Sequence, residues 1–200
     1  MKTVWVSGAS TGIGFATAKK FLNNNWKVII SSSNYEKLLL AKKQLLLKSK
    51  NKELYTYKCD ISDRNQVTET VNKITKQIGN INLAILNAAA YTPNKEQVFS
   101  IQNFEKLIDV NLKGTLFCIE SLINNMKNNQ NHIAIMASPV GYRGLPTGAA
   151  YGLTKAGLIN LAESLFFDLK KEKIKISLIN PGFIESELTK LNSFPMPFLK

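Results

Sequence analysis

The sequence predicts an α/β protein built as a three-layer, doubly wound parallel sheet. Three observations carry this. Six short Val- and Ile-rich runs alternate along the chain with longer segments of helical periodicity. The first such run passes straight into a glycine-rich stretch, SGASTGIG, that opens a helix pattern. No internal repeat or low-complexity tract interrupts the alternation, so the 200 residues read as one domain.

Continuous apolar runs of strand length are expected where both faces of a sheet are covered. They fall at Thr3–Ser7, Lys27–Ser31, Leu54–Cys59, Asn82–Leu86, His132–Ala137 and Lys175–Ile179. Helices are expected over Thr11–Asn23, Tyr35–Lys48, Ser62–Ile78, Phe104–Lys127 and Ala149–Lys170, the fourth interrupted near Val110. Right-handed crossovers between parallel strands then favour the strand order 3-2-1-4-5-6.

Composition narrows the class. With 44% apolar residues the chain can bury a sizeable core. No stretch approaches the roughly 20 apolar residues of a membrane span. The short apolar run after Lys2 is not a signal peptide. Cys59 and Cys118 lack metal or redox spacing, which implies a reduced, cytoplasmic setting. The net charge of +12 raises nucleic acid as a partner. Its lysines are scattered, however, and arginine occurs only at Arg64 and Arg143. That pattern suits a solvated surface better than specific nucleic-acid recognition. His132, the single histidine, has no cluster around it, so no metal site is expected.

Three constellations suggest chemistry. In SGASTGIG, Gly8 permits a tight turn, while Gly12 and Gly14 allow backbone N–H groups and a helix N-terminus to approach a pyrophosphate. Ser10, Thr11 and Ile13 complete that loop. The spacing G-x-x-x-G-x-G is neither G-x-G-x-x-G nor a P-loop, and a ligand-free turn is the plain alternative. Tyr151 and Lys155, in YGLTK, share a helix face. A nearby cation favours the phenolate and should lower the tyrosine pKa from about 10. An ordinary solvated Tyr–Lys pair is the alternative. Ser138 ends the fifth strand, where ligand crevices form in such sheets.

These positions, in this order, resemble the short-chain dehydrogenase/reductase family, a Rossmann-fold family, over nearly the whole chain. The resemblance implies a cofactor loop at SGASTGIG, an adenine contact at Asp60, and Ile61 beside it among the cofactor-binding residues. It matches Asn87-Ala88-Ala89 to the family's Asn-Ala-Gly motif, with Ala89 in place of glycine. It implies a catalytic tetrad of Asn111, Ser138, Tyr151 and Lys155. Pro181 and Gly182 match the family's Pro-Gly turn, with Ile184 and Ser186 near the nicotinamide carboxamide. The implied activity is hydride transfer between a nicotinamide cofactor and a carbonyl or alcohol. Tyr151 would act as acid and base, Lys155 would hold the ribose and lower the tyrosine pKa, and Asn111 would hold a water of a proton relay.

No acid stands at the end of the second strand, in IISSSNYEK, to hold a ribose 2′-hydroxyl. Ser10, Ser32, Ser33 and Asn34 are candidates for a 2′-phosphate. NADP(H) is therefore the expected cofactor, with NAD(H) the alternative. The expected substrate has an apolar part, facing Val140, Tyr142, Leu145, Phe183, Leu188, Leu191, Phe194 and Met196. The family commonly adds a closing helix and a seventh strand; the resemblance therefore implies either a truncated chain or a member with the seventh strand missing. A homodimer or homotetramer through the two long helices is implied. A non-catalytic nucleotide-binding protein on the same fold is the competing reading.

Overall fold

A computed structural model describes residues 1–92, 100–126, 131–186, 189–191 and 196. Six parallel strands form one sheet in the order β3-β2-β1-β4-β5-β6, as expected. They are β1 (Thr3–Ser7), β2 (Lys27–Ser32), β3 (Leu54–Lys58), β4 (Leu83–Leu86), β5 (His132–Met136) and β6 (Lys175–Ile179). The helices are α1 (Gly12–Asn23), α2 (Tyr35–Lys48), α3 (Arg64–Gln77), α4 (Ile101–Leu107), α5 (Gly114–Met126) and α6 (Ala149–Lys171).

Alternation along each strand divides the core between the two faces. Val4, Val6, Val28 and Ile30 pack with Ala18 and Leu22 of α1 and Leu38, Ala41 and Leu45 of α2. Trp5 and Ile29 point the other way, toward α3, α5 and α6 through Val67, Val71, Leu122, Leu158 and Ala162. The indole of Trp5 is fully buried, and its N–H donates to Ser31 Oγ at 3.0 Å. Burial of each such side chain contributes about 1.5–3 kcal/mol, which is what holds the sheet between its helical layers.

Helix starts follow side-chain chemistry. Asn34 caps α2 by accepting from Lys37 N, and Asp63 caps α3 by accepting from Asn65 N and Gln66 N. Ser100 caps α4 by accepting from Asn103 N. The interruption expected near Val110 is a π-helical turn, Ile108–Lys113, whose register is set by Gly114 N donating to Asp109 O. Such turns often sit at functional sites, and this one carries Asn111 at its centre. The predicted end of that segment, Lys127, lies outside the described residues.

Candidate active site

In the order 3-2-1-4-5-6 the winding reverses between β1 and β4, and the loops beyond their carboxyl ends open a crevice there. Gly8, in the loop after β1, has φ +63°. A Cβ on it would lie 2.6 Å from Ala88 Cα. Only glycine permits this turn against the β4 loop. Ser7 Oγ accepts from Asn87 N and Ala88 N, and Asn87 Nδ2 donates to Ser7 O and Gly8 O at 3.1 and 3.0 Å. The two loops are thus bolted together by polar contacts.

Gly14 is closely packed on its side-chain face. A Cβ there would meet Gly8 O at 2.5 Å and Asn87 Nδ2 at 2.6 Å, so this glycine serves loop-to-helix packing and does not line the groove. Gly12 does face the groove. It has φ +57°, and an added Cβ would meet only Ser186 Cβ, at 3.4 Å. Thr11 makes no side-chain cap on α1, unlike the caps of α2, α3 and α4. The first-turn amides of α1 are left facing the groove, where they suit an anion.

That groove has a volume of about 500 Å³. Its lining includes Gly8, Ser10, Thr11, Gly12, Ile13, Ser32, Ser33, Asp60, Ile61 and Asn87–Ala89. These residues fit a dinucleotide: an uncapped helix start and a glycine-lined opening meet hydroxyls at the end of β2. Ser10 Oγ and Ser32 Oγ lie 3.3 Å apart. Asp60 accepts from Ser62 N and Oγ, while Ile61 packs on Gly114. Asn34 does not line the groove; its Oδ1 caps α2 by accepting from Lys37 N. Lys106 and Val110, which carry no sequence motif, do line it. Lys106 stands on α4 and Val110 in the π-helical turn that follows it.

A second cavity, of about 150 Å³, adjoins the groove and shares Ile13, Asn87, Ala89 and Ser186 with it. Ser138, Tyr151, Lys155, Pro181, Gly182 and Ile184 line this cavity. Helical spacing brings Lys155 Nζ to 5.4 Å from the centre of the Tyr151 ring. The Ser138 side chain hydrogen-bonds the Tyr151 phenol and also accepts weakly from Val140 N, at 3.4 Å. Val140, Leu145 and Phe183 form apolar wall as expected. Tyr142 does not: it is exposed, and its hydroxyl accepts from Asn180 Nδ2. Leu191 and Met196 do not line the cavity either, and Leu188 and Phe194 lie outside the described residues.

The electrostatics differ from the expectation for Tyr151. Burial, followed by the neighbouring Tyr91 phenol, pushes its pKa up to about 12, against the opposing Ser138 bond. The Lys155 cation does not reverse this. Burial lowers Lys155 to about 8, and its Nζ donates to Met136 O at 2.8 Å. The Asn111 side chain is engaged within the protein. Its Nδ2 donates to Ala90 O at 3.0 Å and Thr154 Oγ1 at 3.2 Å, and its Oδ1 accepts from Ala90 N at 2.7 Å. Both amide protons are therefore committed to protein partners. His132 pairs with Ser177 Oγ at 2.9 Å, and the described residues contain no metal-ligand cluster. No helix among the described residues is long and apolar enough to cross a membrane.

Residues 2–194 match the model of the short chain dehydrogenases, and the chain belongs to that family of oxidoreductases. It is 34% identical over 194 residues to the 3-oxoacyl-[acyl-carrier-protein] reductase FabG of Rickettsia typhi, covering 96% of this chain and 76% of that one. An uncharacterized oxidoreductase of Staphylococcus epidermidis is 27% identical over 96% of this chain and 82% of its own length. Among solved structures, ElxO with NADP bound superposes with a TM-score of 0.86 at 30% identity, covering 94% of this chain and 76% of that chain.

Proposed function

We propose that the protein is an NADP(H)-dependent reductase of a carbonyl substrate with an apolar part. One observation carries the reading. Tyr151, hydrogen-bonded to Ser138 and one helical turn from Lys155, lines a cavity continuous with the glycine-loop groove. Cofactor and substrate sites then lie in one domain. A bound reduced nicotinamide supplies a hydride to the carbonyl carbon.

The protein's part is to hold the substrate oxygen and deliver a proton. Tyr151 keeps its phenol protonated at neutral pH, so it is a donor to the oxygen on which negative charge develops. Ser138 orients that oxygen and shares the hydrogen bond. After the transfer, the cation of Lys155 stabilises the phenolate. Ser10, Ser32 and Ser33 are assigned to the 2′-phosphate, Asp60 and Ile61 to the adenine end, and Pro181, Gly182, Ile184 and Ser186 to the nicotinamide end. Ordered hydroxyls, with no acid beside them at the end of β2, support NADP(H) over NAD(H). ElxO has been solved with NADPH and with NADP bound, which supports the same choice. Homo-oligomerisation through α5 and α6 completes the proposal; Phe166 and Phe167 of α6 stand exposed there.

The test is a fluorescence titration with NADPH and NADH, followed by a screen of ketones and 3-oxoacyl thioesters. The thioesters are included because the Rickettsia relatives are named for that chemistry. NADPH is expected to bind more tightly, and Tyr151→Phe to bind it normally with turnover abolished. Failure of the folded chain to bind either nucleotide would sink the proposal. Substantial turnover by Tyr151→Phe would remove the tyrosine from its role.

A further inference from the structure

Tyr91 is absorbed by no motif, yet it lines the substrate cavity beside Tyr151. The two rings meet edge to face, with centroids 5.0 Å apart and planes at 68°. Such pairs are directional as well as apolar. Both ends of Tyr91 are held. Its side chain is hydrogen-bonded to that of Thr147, in the loop between Gly141 and α6. Thr147 has φ +62°, a conformation that a β-branched residue adopts only when its surroundings impose it. At the backbone end, Asn111 grips both the N–H and the carbonyl of Ala90, the residue before Tyr91.

The same amide reaches the catalytic helix. Asn111 Nδ2 donates to Thr154 Oγ1, which donates to Tyr151 O at 2.8 Å. Asn111 and Thr154 are almost fully buried, so this link is sheltered from competing water. One side chain thereby ties the turn that carries Tyr91 to the turn that carries Tyr151.

We propose that Tyr91 is a positioning residue for Tyr151, its ring held by Thr147 and the Asn111 clamp so that it fixes the phenol and walls it from water. The proposal rests on the reading of Tyr151 as the proton donor. The titratable groups facing Tyr151 are Tyr91 from the β4 loop and Lys155 on its own helix. From the end of β5, the 140–148 loop and the 181–189 segment, the described lining residues are all uncharged. Burial is the main reason the phenol holds its proton, and Tyr91 supplies part of that burial as well as a smaller charge effect.

The test is an NMR titration of tyrosine labelled at Cζ, without nucleotide or substrate, with Tyr151→Phe used to assign the Tyr151 signal. Tyr91→Ala admits water and is expected to lower the Tyr151 midpoint by about one pH unit or more. Tyr91→Phe keeps the ring and is expected to shift it less. Thr147→Ala, at an exposed loop position, cuts the anchor and is expected to give a smaller shift in the same direction. It carries the test should Tyr91→Ala not fold. In turnover, Tyr91→Ala is expected to lower kcat about tenfold with NADPH affinity unchanged. No shift in a folded Tyr91→Ala or in Thr147→Ala would overturn the proposal, as would equal shifts for Phe and Ala at position 91. The titration needs no catalysis, so failure of the positioning by Tyr91 and failure of the reductase reading are told apart.

Discussion

Replacing Gly8 with alanine tests the joint between the β1 and β4 loops directly. The new Cβ would lie 2.6 Å from Ala88 Cα and 3.0 Å from Ala88 N, against a comfortable carbon–carbon contact of about 3.5–4.0 Å. Something must move by about 1 Å, and the obstacle is backbone. Ala88 is held by Ser7 Oγ, and Asn87 is held by Ser7 Oγ, Ser7 O and Gly8 O, so movement strains four hydrogen bonds. Forcing alanine into the left-handed region at φ +63° costs about 1–2 kcal/mol. Overpacking adds about 1–3 kcal/mol. The expected loss is about 2–5 kcal/mol, which for a chain of this size lowers Tm by about 4–20 °C. Urea unfolding measures it, with Gly12→Ala as control. Gly12 has a similar φ of +57° but an open side, so only the conformational cost of about 1–2 kcal/mol should appear. Nucleotide binding should suffer in both. Equal losses for the two variants, or a loss below about 1 kcal/mol for Gly8→Ala, would refute the claim that Ala88 is immovable.

Two further outcomes follow from the site. Asn111→Ala strands the N–H and carbonyl of Ala90 and one bond to Thr154, so stability should fall by about 2–4 kcal/mol on urea unfolding; a loss under about 1 kcal/mol would mean that the clamp holds nothing. Lys155 has its folded pKa depressed from 10.5 to about 8, so protonation opposes folding and the wild-type chain should gain stability as pH rises from about 8 to 10.5. The size is at most about 3.5 kcal/mol, from roughly 1.4 kcal/mol for each pH unit between about 8 and 10.5. Tyr151, raised to about 12, acts oppositely above pH 10, where the unfolded phenol ionises first. Lys155→Met should therefore lose the rise between pH 8 and 10, and urea midpoints across that range decide it; an unchanged slope would show that the ammonium is not penalised by the fold.

Much of the architecture was legible from patterning alone. Continuous Val and Ile runs appear where a strand is covered on both faces, and each of the six predicted strands agrees with an observed one to within one residue at either end. Tyr151 and Lys155 were legible as a pair because helix geometry alone places them on one face. Their protonation was not. A cation four residues away suggests a lowered phenol pKa, but burial depends on what the fold stacks over the ring, and Tyr91 arrives from 60 positions earlier in the chain. The packing of Gly14 against Gly8 O and Asn87 Nδ2 was not legible, because spacing cannot show which backbone a glycine lies against. Asn34 read as a phosphate ligand because a capping residue and a binding residue have the same polarity.

Element order, the parallel sheet and the chemistry available at its carboxyl edge follow from the amino-acid pattern. Periodicity and spacing are local properties, and local backbone geometry converts them into faces and turns. Which groups meet is a property of the closed fold. The reversal between β1 and β4 sets Gly8 against Ala88, the π-helical turn aims Asn111 at both Ala90 and Thr154, and the 141–148 loop brings Thr147 to Tyr91. Those contacts join residues far apart in the chain, and their strength depends on burial, which no stretch of sequence possesses until the rest of the fold closes over it.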